Sequence, residues 1–469
     1  MSRHPTPGVD YSAQAGATRI LRANAMNGTT TVVENHTKLP ESLSPMCSKV
    51  RQPKIAIFGT FGTGNLGNEC TLQAMLHNIQ RYLPDAEIIC VCSGPEETAA
   101  RCGIPAFPIR YAVSIRQVLG VRSRRENKLV KWLRKLIRLP MGPYRWYKAF
   151  TILRNQDTLV ITGLGMLGDF GIRPFGLHYD ILGWSIIAKL CGCRLLFVSV
   201  GVGPVRHPVS RLFVKAALAL GDYRSYRDRF SKEYLERIGF KTKSDYVYPD
   251  LVFSLPRTMP ADGEERKNRK PVIGVGLLNY YNRRGRTDSG AATYRDYMAG
   301  IAALVSGLME REDTVRLLIG DTVYDQGARQ DLRGLLEARG WNYGDPAIID
   351  EPATSVDELL SQLATTDLVV ASRFHNLLLA IMLGKPVVAL SYHEKIVSLM
   401  EELGLSEFCH DIEHLDVDKL IGQITELTSR AGTSARRTAI EKQIQAYREM
   451  LDEQYERIFR GVPLWSAAP

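Results

Sequence analysis

The sequence predicts an α/β protein built from two doubly wound parallel sheets. Two observations carry that prediction. First, short runs that are apolar throughout, such as KIAIFG at 54–59 and LLFVSVGVGP at 195–204, alternate with segments whose apolar residues recur at helical spacing. Strands buried on both faces mark a parallel sheet covered by helices. Second, the alternation stops at SLPRTMPADGEERKNRK, 254–270, a stretch of proline, glycine and charge that reads as a linker, and restarts at Pro271. A chain of 469 residues has room for two or three domains.

In chain order, residues 1–50 are rich in Thr, Asn, Ser, Pro and Gly without periodicity and read as a disordered tail. KIAIFG is a strand, and 68–83 places Leu72, Met75, Leu76, Ile79 and Leu83 on one helical face. EIICVC at 87–92 and TLVITG at 158–163 continue the first unit. A helix through 181–190, LLFVSVGVGP, a helix through 209–220, and short strands YRSYR and YVYPD complete it. The second unit runs from PVIGVGLL at 271 through TVRLLIGD, AIID and DLVVASR to PVVALSYH at 386–393, with helices between. A long amphipathic segment, 435–459, is expected to pack back across both units. The expected domains are therefore 51–255 with a basic insertion at 110–154, a linker at 256–270, a second domain at 271–430, and a C-terminal helix and tail at 431–469.

Lys and Arg number 60 against 50 Asp and Glu, a net charge of +10 with a pI near 9.1. Such a surplus favours anionic partners. No nucleic-acid module or interleaved stacking aromatics accompany it, so no nucleic-acid partner is expected. The eight cysteines form no CxxC pair and no zinc spacing, and no compact His/Asp/Glu cluster has ligand spacing, so no metal is expected. This usage fits a reducing cytoplasm, and the N-terminus lacks the apolar core of a signal peptide. The best uncharged helical run, Phe374–Gly384, falls short of the roughly 20 apolar residues of a membrane span. One stretch stands apart: 110–154 holds thirteen Lys or Arg and a single acidic residue, Glu126. Within it, 126–139 is a basic amphipathic helix, suited to an anionic membrane surface and equally to a solvated surface position.

Open parallel sheets bind ligands beyond the carboxyl ends of their strands. The first strand runs into GTFGTGNLGNE, where Gly64, Asn65, Gly67, Asn68 and Glu69 open a helix. Glycines let backbone N–H groups approach an anion at a helix start. A plain tight turn with Asn68 as helix cap explains the same residues. Two more strands end similarly, at Gly165 and Asp169 and at Gly201 and Gly203. In the second unit Ser372, Arg373 and His375 stand where an apolar strand meets an apolar helix. Arg373 offers a planar fork for carboxylate or phosphate, and His375 a group that exchanges protons near neutrality. The next strand ends in Tyr392, Glu394 and Lys395, which suit an acceptor site or the cap of the following helix. Arg283 and Arg284 add cations, or form a solvated loop.

GNLGNE, SVGVGP, SRFH-LLLA and SYHEK together resemble the polysaccharide pyruvyl transferase family over about 54–405. The resemblance implies two Rossmann-like domains in a GT-B-like arrangement with an interdomain cleft. It also implies transfer of a pyruvyl group from phosphoenolpyruvate to two hydroxyls of a sugar, forming a ketal. Phosphoenolpyruvate is then the donor substrate, with no further cofactor. The acceptor is a carbohydrate of exopolysaccharide synthesis, often lipid-linked, which suits a cytoplasmic enzyme at the inner face of the plasma membrane. In that chemistry Arg373 clamps the donor and His375 is the general acid. The family commonly has Leu where this chain has Phe374, a conservative change if that ring faces the core. A nucleotide-sugar glycosyltransferase on the same scaffold is the alternative, with Arg373 and Lys395 on the donor diphosphate.

Overall fold

Strands β1 (Lys54–Gly59), β2 (Glu87–Cys92), β3 (Ala106–Pro108), β4 (Thr158–Ile161), β5 (Arg194–Val200), β6 (Tyr223–Tyr226) and β7 (Tyr246–Val247) form one sheet in the order β3-β2-β1-β4-β5-β6-β7. The second sheet comprises β8 (Val272–Leu277), β9 (Thr314–Ile319), β10 (Ile348–Ile349), β11 (Leu368–Ala371), β12 (Val387–Ser391) and β13 (Cys409–Asp411), in the order β10-β9-β8-β11-β12-β13. Every pairing is parallel. The structure, a computed structural model, describes residues 52–111, 141–168, 175–256, 269–281, 288–429 and 433–461. The expected tail, the helix 126–139 and most of the linker lie outside the described residues. Among the described residues no helix is long and apolar enough to cross a membrane. Strands β3 and β13, three residues each, are too short to show periodicity and were not expected.

The strand order reverses between β1 and β4 in the first sheet and between β8 and β11 in the second. At such points connections leave to opposite faces and open a crevice at the carboxyl edge. The two carboxyl edges meet directly. Leu66 N–H donates to the Gly320 carbonyl at 3.0 Å, and Thr322 N–H to the Gly64 carbonyl at 2.8 Å. Asn65 pairs antiparallel with Asp321 and donates its side-chain amide to that carboxylate at 3.2 Å. Gly64 has φ +84°, and a Cβ there would stand 2.5 Å from Thr322 Oγ1, so only glycine fits this clasp.

The helix Leu66–Tyr82 is capped by Asn65, whose side chain accepts from Asn68 N–H at 3.2 Å. This corrects the expected cap, Asn68. Asn68 instead turns its amide back to the carbonyl and hydroxyl of Thr60, both at 3.1 Å. The C-terminal helix Thr433–Phe459 does pack on both sheets' domains. Tyr447 donates to Glu402 of the second, and the Ile458 carbonyl accepts from Arg194 of the first, both at 2.8 Å.

Gln454 of that helix is fully buried beneath β5 and β6. Its side chain bonds Ser199 at 3.0 Å, Ser225 at 2.6 Å and Tyr223 at 3.3 Å. Ser199 has φ +48° at a register shift in β5, a strained position for a residue with a Cβ. Gln454→Ala strands several buried hydroxyls, and the expected loss is about 1–3 kcal/mol of stability, read by urea unfolding.

Candidate active site

At the start of the helix Phe374–Met382, beyond the carboxyl end of β11, three consecutive side chains take three different surroundings. Arg373 reaches across its own sheet to Asp325, donating Nε to Oδ2 at 2.9 Å and Nη2 to Oδ1 at 2.6 Å. Asp325 is fully buried and also accepts from the N–H groups of Asn279 at 3.3 Å, Gly320 at 3.3 Å and Asp321 at 3.0 Å. A carboxylate held by three backbone donors fixes the guanidinium in one plane. One face of Arg373 is thus taken by an internal carboxylate.

His375 turns the other way, to the first domain. A Cβ on Gly67 would lie 2.1 Å from His375 Nδ1, so the imidazole rests directly on that glycine. Its Nε2 is buried without a hydrogen-bond partner, 3.9 Å from Asp250 Oδ2, which likewise has none. Asp250 follows β7 and is held by Val252 N–H on its other oxygen at 3.1 Å. Burial, foremost, and then the charges of Lys395, Arg227 and Arg373 hold the His375 pKa well below its ordinary value. Burial also raises Asp250, against the pull of Arg227 and Lys395.

Phe374 is buried within the hydrophobic core and also lines a cavity with Arg227, Asp250 and Lys395. Arg227 Cζ stands 5.2 Å and Lys395 Nζ 5.3 Å from the ring centroid, cation–π contacts from opposite domains. Arg227 lies at the end of β6 against Gly201, where a Cβ would come within 2.6 Å of its guanidinium. It donates to Asp228 at 3.3 Å and approaches Asp250 at 3.7 Å. Among the described residues no carboxylate ion-pairs with Lys395. Its neighbour is Tyr392: burial would push that phenol up, but Lys395 and Arg373 pull it below its usual value.

The structure therefore brings Arg373, His375, Tyr392 and Lys395 near one another, with Gly67 against His375 and Gly201 against Arg227; of these candidates Lys395 lines the cavity. A Cβ on Gly165 would lie 3.8 Å from the Arg227 guanidinium, and one on Gly203 would lie 3.5 Å from Gly168 Cα and 3.7 Å from His393 Nε2. Gly64 and Asn65 belong to the clasp. Glu69 is buried and accepts from Gly62 N–H at 2.8 Å, and Asn68 bonds Thr60, so both brace the glycine turn. Ser372 is fully buried. Glu394 is exposed in the first turn of the next helix. Asp169, Arg283 and Arg284 lie outside the described residues. Three residues escaped sequence reading: Arg227, Asp250 and Asp325. The first two follow the strands in YRSYR and YVYPD, polar groups at strand ends, which is the same signal that singled out Arg373. Asp325 had no such marker. Among the described residues, no group of three His, Cys, Asp or Glu side chains could hold a metal ion.

The family model of polysaccharide pyruvyl transferases matches residues 65–394. The amylovoran biosynthesis protein AmsJ of Erwinia amylovora is 21% identical over 397 residues, covering 79% of this chain and 91% of that protein. Among solved structures, the MnaA–UDP complex of S. aureus superposes with a TM-score of 0.53 at 12% identity, covering 89% and 99% of the two chains. The UDP-GlcNAc 2-epimerase of Methanocaldococcus jannaschii gives 0.51 at 10% identity, covering 85% and 100%. These likenesses establish a shared two-domain, GT-B-like fold.

A neutral, buried imidazole has a consequence for stability. The unfolded chain protonates His375 below about pH 6.5 while the folded protein does not, so unfolding takes up a proton there. Stability therefore falls with acidification below that pH, by up to about 1.4 kcal/mol per unit from this residue. Urea unfolding between pH 7.5 and 5 is expected to show a shallower decline for His375→Gln than for the wild type.

Proposed function

This chain belongs to the polysaccharide pyruvyl transferase family, which makes it a transferase of polysaccharide biosynthesis, and we propose that phosphoenolpyruvate is its donor and a cyclic ketal its product. The observation that carries the reading is a buried imidazole, His375, with the charges of Lys395, Arg227 and Arg373 close to it. Such a setting attracts a small, multiply charged anion. Phosphoenolpyruvate, with its carboxylate and phosphate, is such a molecule.

In this reading Lys395 and Arg227 draw the donor in, and the end of Arg373 not held by Asp325 fixes its orientation. The donor's negative charge offsets the surrounding cations and raises the proton affinity of His375, and Asp250 stabilises the imidazolium that results. His375 then gives its proton to the methylene carbon, and one sugar hydroxyl adds to the neighbouring carbon. The C–O bond to phosphate breaks and the second hydroxyl closes the ring. Of the two hydroxyl protons released, one returns to His375 and the other leaves with phosphate. No metal or further cofactor enters. The acceptor is a sugar of a polysaccharide or lipid-linked precursor, met at the cytoplasmic face of the plasma membrane, where the basic segment 126–139 aids contact.

The test is phosphate release from phosphoenolpyruvate in the presence of lipid-linked glycans. His375→Ala should lower kcat by about 10²–10⁴ with the fold intact. Near-normal turnover would remove His375 from the mechanism. Thermal stabilisation by sugar nucleotides and not by phosphoenolpyruvate would favour a glycosyltransferase. Lys395→Gln has a different signature, a KM for phosphoenolpyruvate raised by about tenfold or more with kcat little changed, because a charged contact made before and during the reaction is lost.

A further inference from the structure

On the first domain, the helix Leu177–Leu190 buries Ile181, Trp184, Ile187 and Ala188 on the sheet side. Tyr179, Leu182 and Ile186 are half-buried, and Leu190 is exposed. Its neighbours extend the same face. Trp146 of the helix Met141–Leu153 packs over Gly183, and Phe213 of the helix Pro208–Ala219 stacks edgewise near Tyr179 and Phe175. Across this layer Tyr144, Tyr147, Phe150, Phe175, Leu190 and Leu212 are between 40% and 72% exposed. Scattered exposed apolar residues are ordinary, but a contiguous aromatic layer marks an interaction surface.

Charge identifies the partner. The helices Met141–Leu153 and Pro208–Ala219 contain no acidic residue. The one acidic residue of Leu177–Leu190, Asp180, is buried and paired with Arg110. Arg154, Arg206 and Arg211 are exposed at the edges of the layer. Residues 112–140, which join Tyr111 to Met141, carry nine Lys or Arg against Glu126. An apolar face with aromatic residues and a cationic border, whose exposed carboxylate Asp222 is paired with Lys189, is complementary to an anionic lipid surface. A second copy of the chain would bring the same positive charge against it.

We infer that the outward face of these three helices docks on an anionic lipid bilayer. Phe175 precedes the helix that follows β4, at the carboxyl edge of the first sheet, the edge that also carries Gly201 and Arg227. Docking there sets the membrane beside the mouth of the cleft. The inference rests on the exposed layer and its charge, and it holds whatever reaction the cleft performs.

The test is flotation of the full chain with vesicles of phosphatidylcholine alone and of phosphatidylcholine with phosphatidylglycerol. The wild type should float with the anionic vesicles, and added salt should weaken the binding. The triple variant Tyr147→Ser, Leu190→Ser, Leu212→Ser changes exposed positions only. It should lose at least about tenfold in partitioning, with unchanged circular dichroism and melting. Arg206→Glu with Arg211→Glu should reduce binding to anionic vesicles as well. Absence of wild-type binding would overturn the inference. So would a triple variant that floats like the wild type, which would place the lipid contact elsewhere. A wild-type dimer that the triple variant dissociates, without any lipid dependence, would reassign the face to self-association.

Discussion

The molecule depends on close contact between two sheet edges that carry no apolar core of their own. The backbone of Gly64–Leu66 bonds the backbone of Gly320–Thr322, and Gly67 admits the imidazole of His375 where any side chain would collide. Hydrogen bonds at this edge are individually worth little net, but they are directional, and they bring strand ends of both domains to one place. Asp250 and Arg227 come from the first sheet, while Phe374, His375 and Lys395 come from the second. Neither half holds the His375 imidazole and the Asp250 carboxylate together. The grouping depends on the two edges meeting, and glycines there leave the space that Thr322 and His375 occupy.

Within that closed site the ion pairs divide the work unequally. Asp325 satisfies the Nε–Nη2 side of Arg373. A guanidinium braced in this way loses little further freedom when an anion arrives, which is the advantage of preorganisation. Arg227 is restrained more loosely, by Asp228 at 3.3 Å and Asp250 at 3.7 Å. Lys395 is partnered by Tyr392, and burial lowers its pKa from the usual value. Three cations thus stand near an imidazole that is kept neutral.

Much of this was legible in the residues. The two sheets followed from apolar runs broken by one charged linker, because burial on both faces leaves no other pattern. Arg373 and His375 stood out because polar groups at the carboxyl end of an apolar strand have few structural reasons to be there. The glycine turns suggest backbone N–H groups that an anion can approach, and the structure shows clearance as well: Gly64 against Thr322, Gly67 against His375, Gly201 against Arg227. A sequence shows that a residue lacks a Cβ, but not which distant side chain needs the space. Asp325 was hidden for a similar reason. It lies 48 positions before the arginine it holds, and only the β8–β9–β11 arrangement brings the two together.

Phe374 shows how a single ring ties these levels together. A leucine of similar volume at this position would fill the same buried space and contribute similar hydrophobic stabilisation. It has no quadrupole, however, and both cations that approach the ring do so from opposite domains, Arg227 at 5.2 Å and Lys395 at 5.3 Å. Each such contact is worth about 0.5–2 kcal/mol depending on desolvation. Because the ring faces its neighbour His375 edge-on at 5.3 Å, it also limits how far the imidazole can swing from Gly67. One side chain thereby meets two cations and the neighbouring imidazole, and does so without adding the negative charge of a carboxylate.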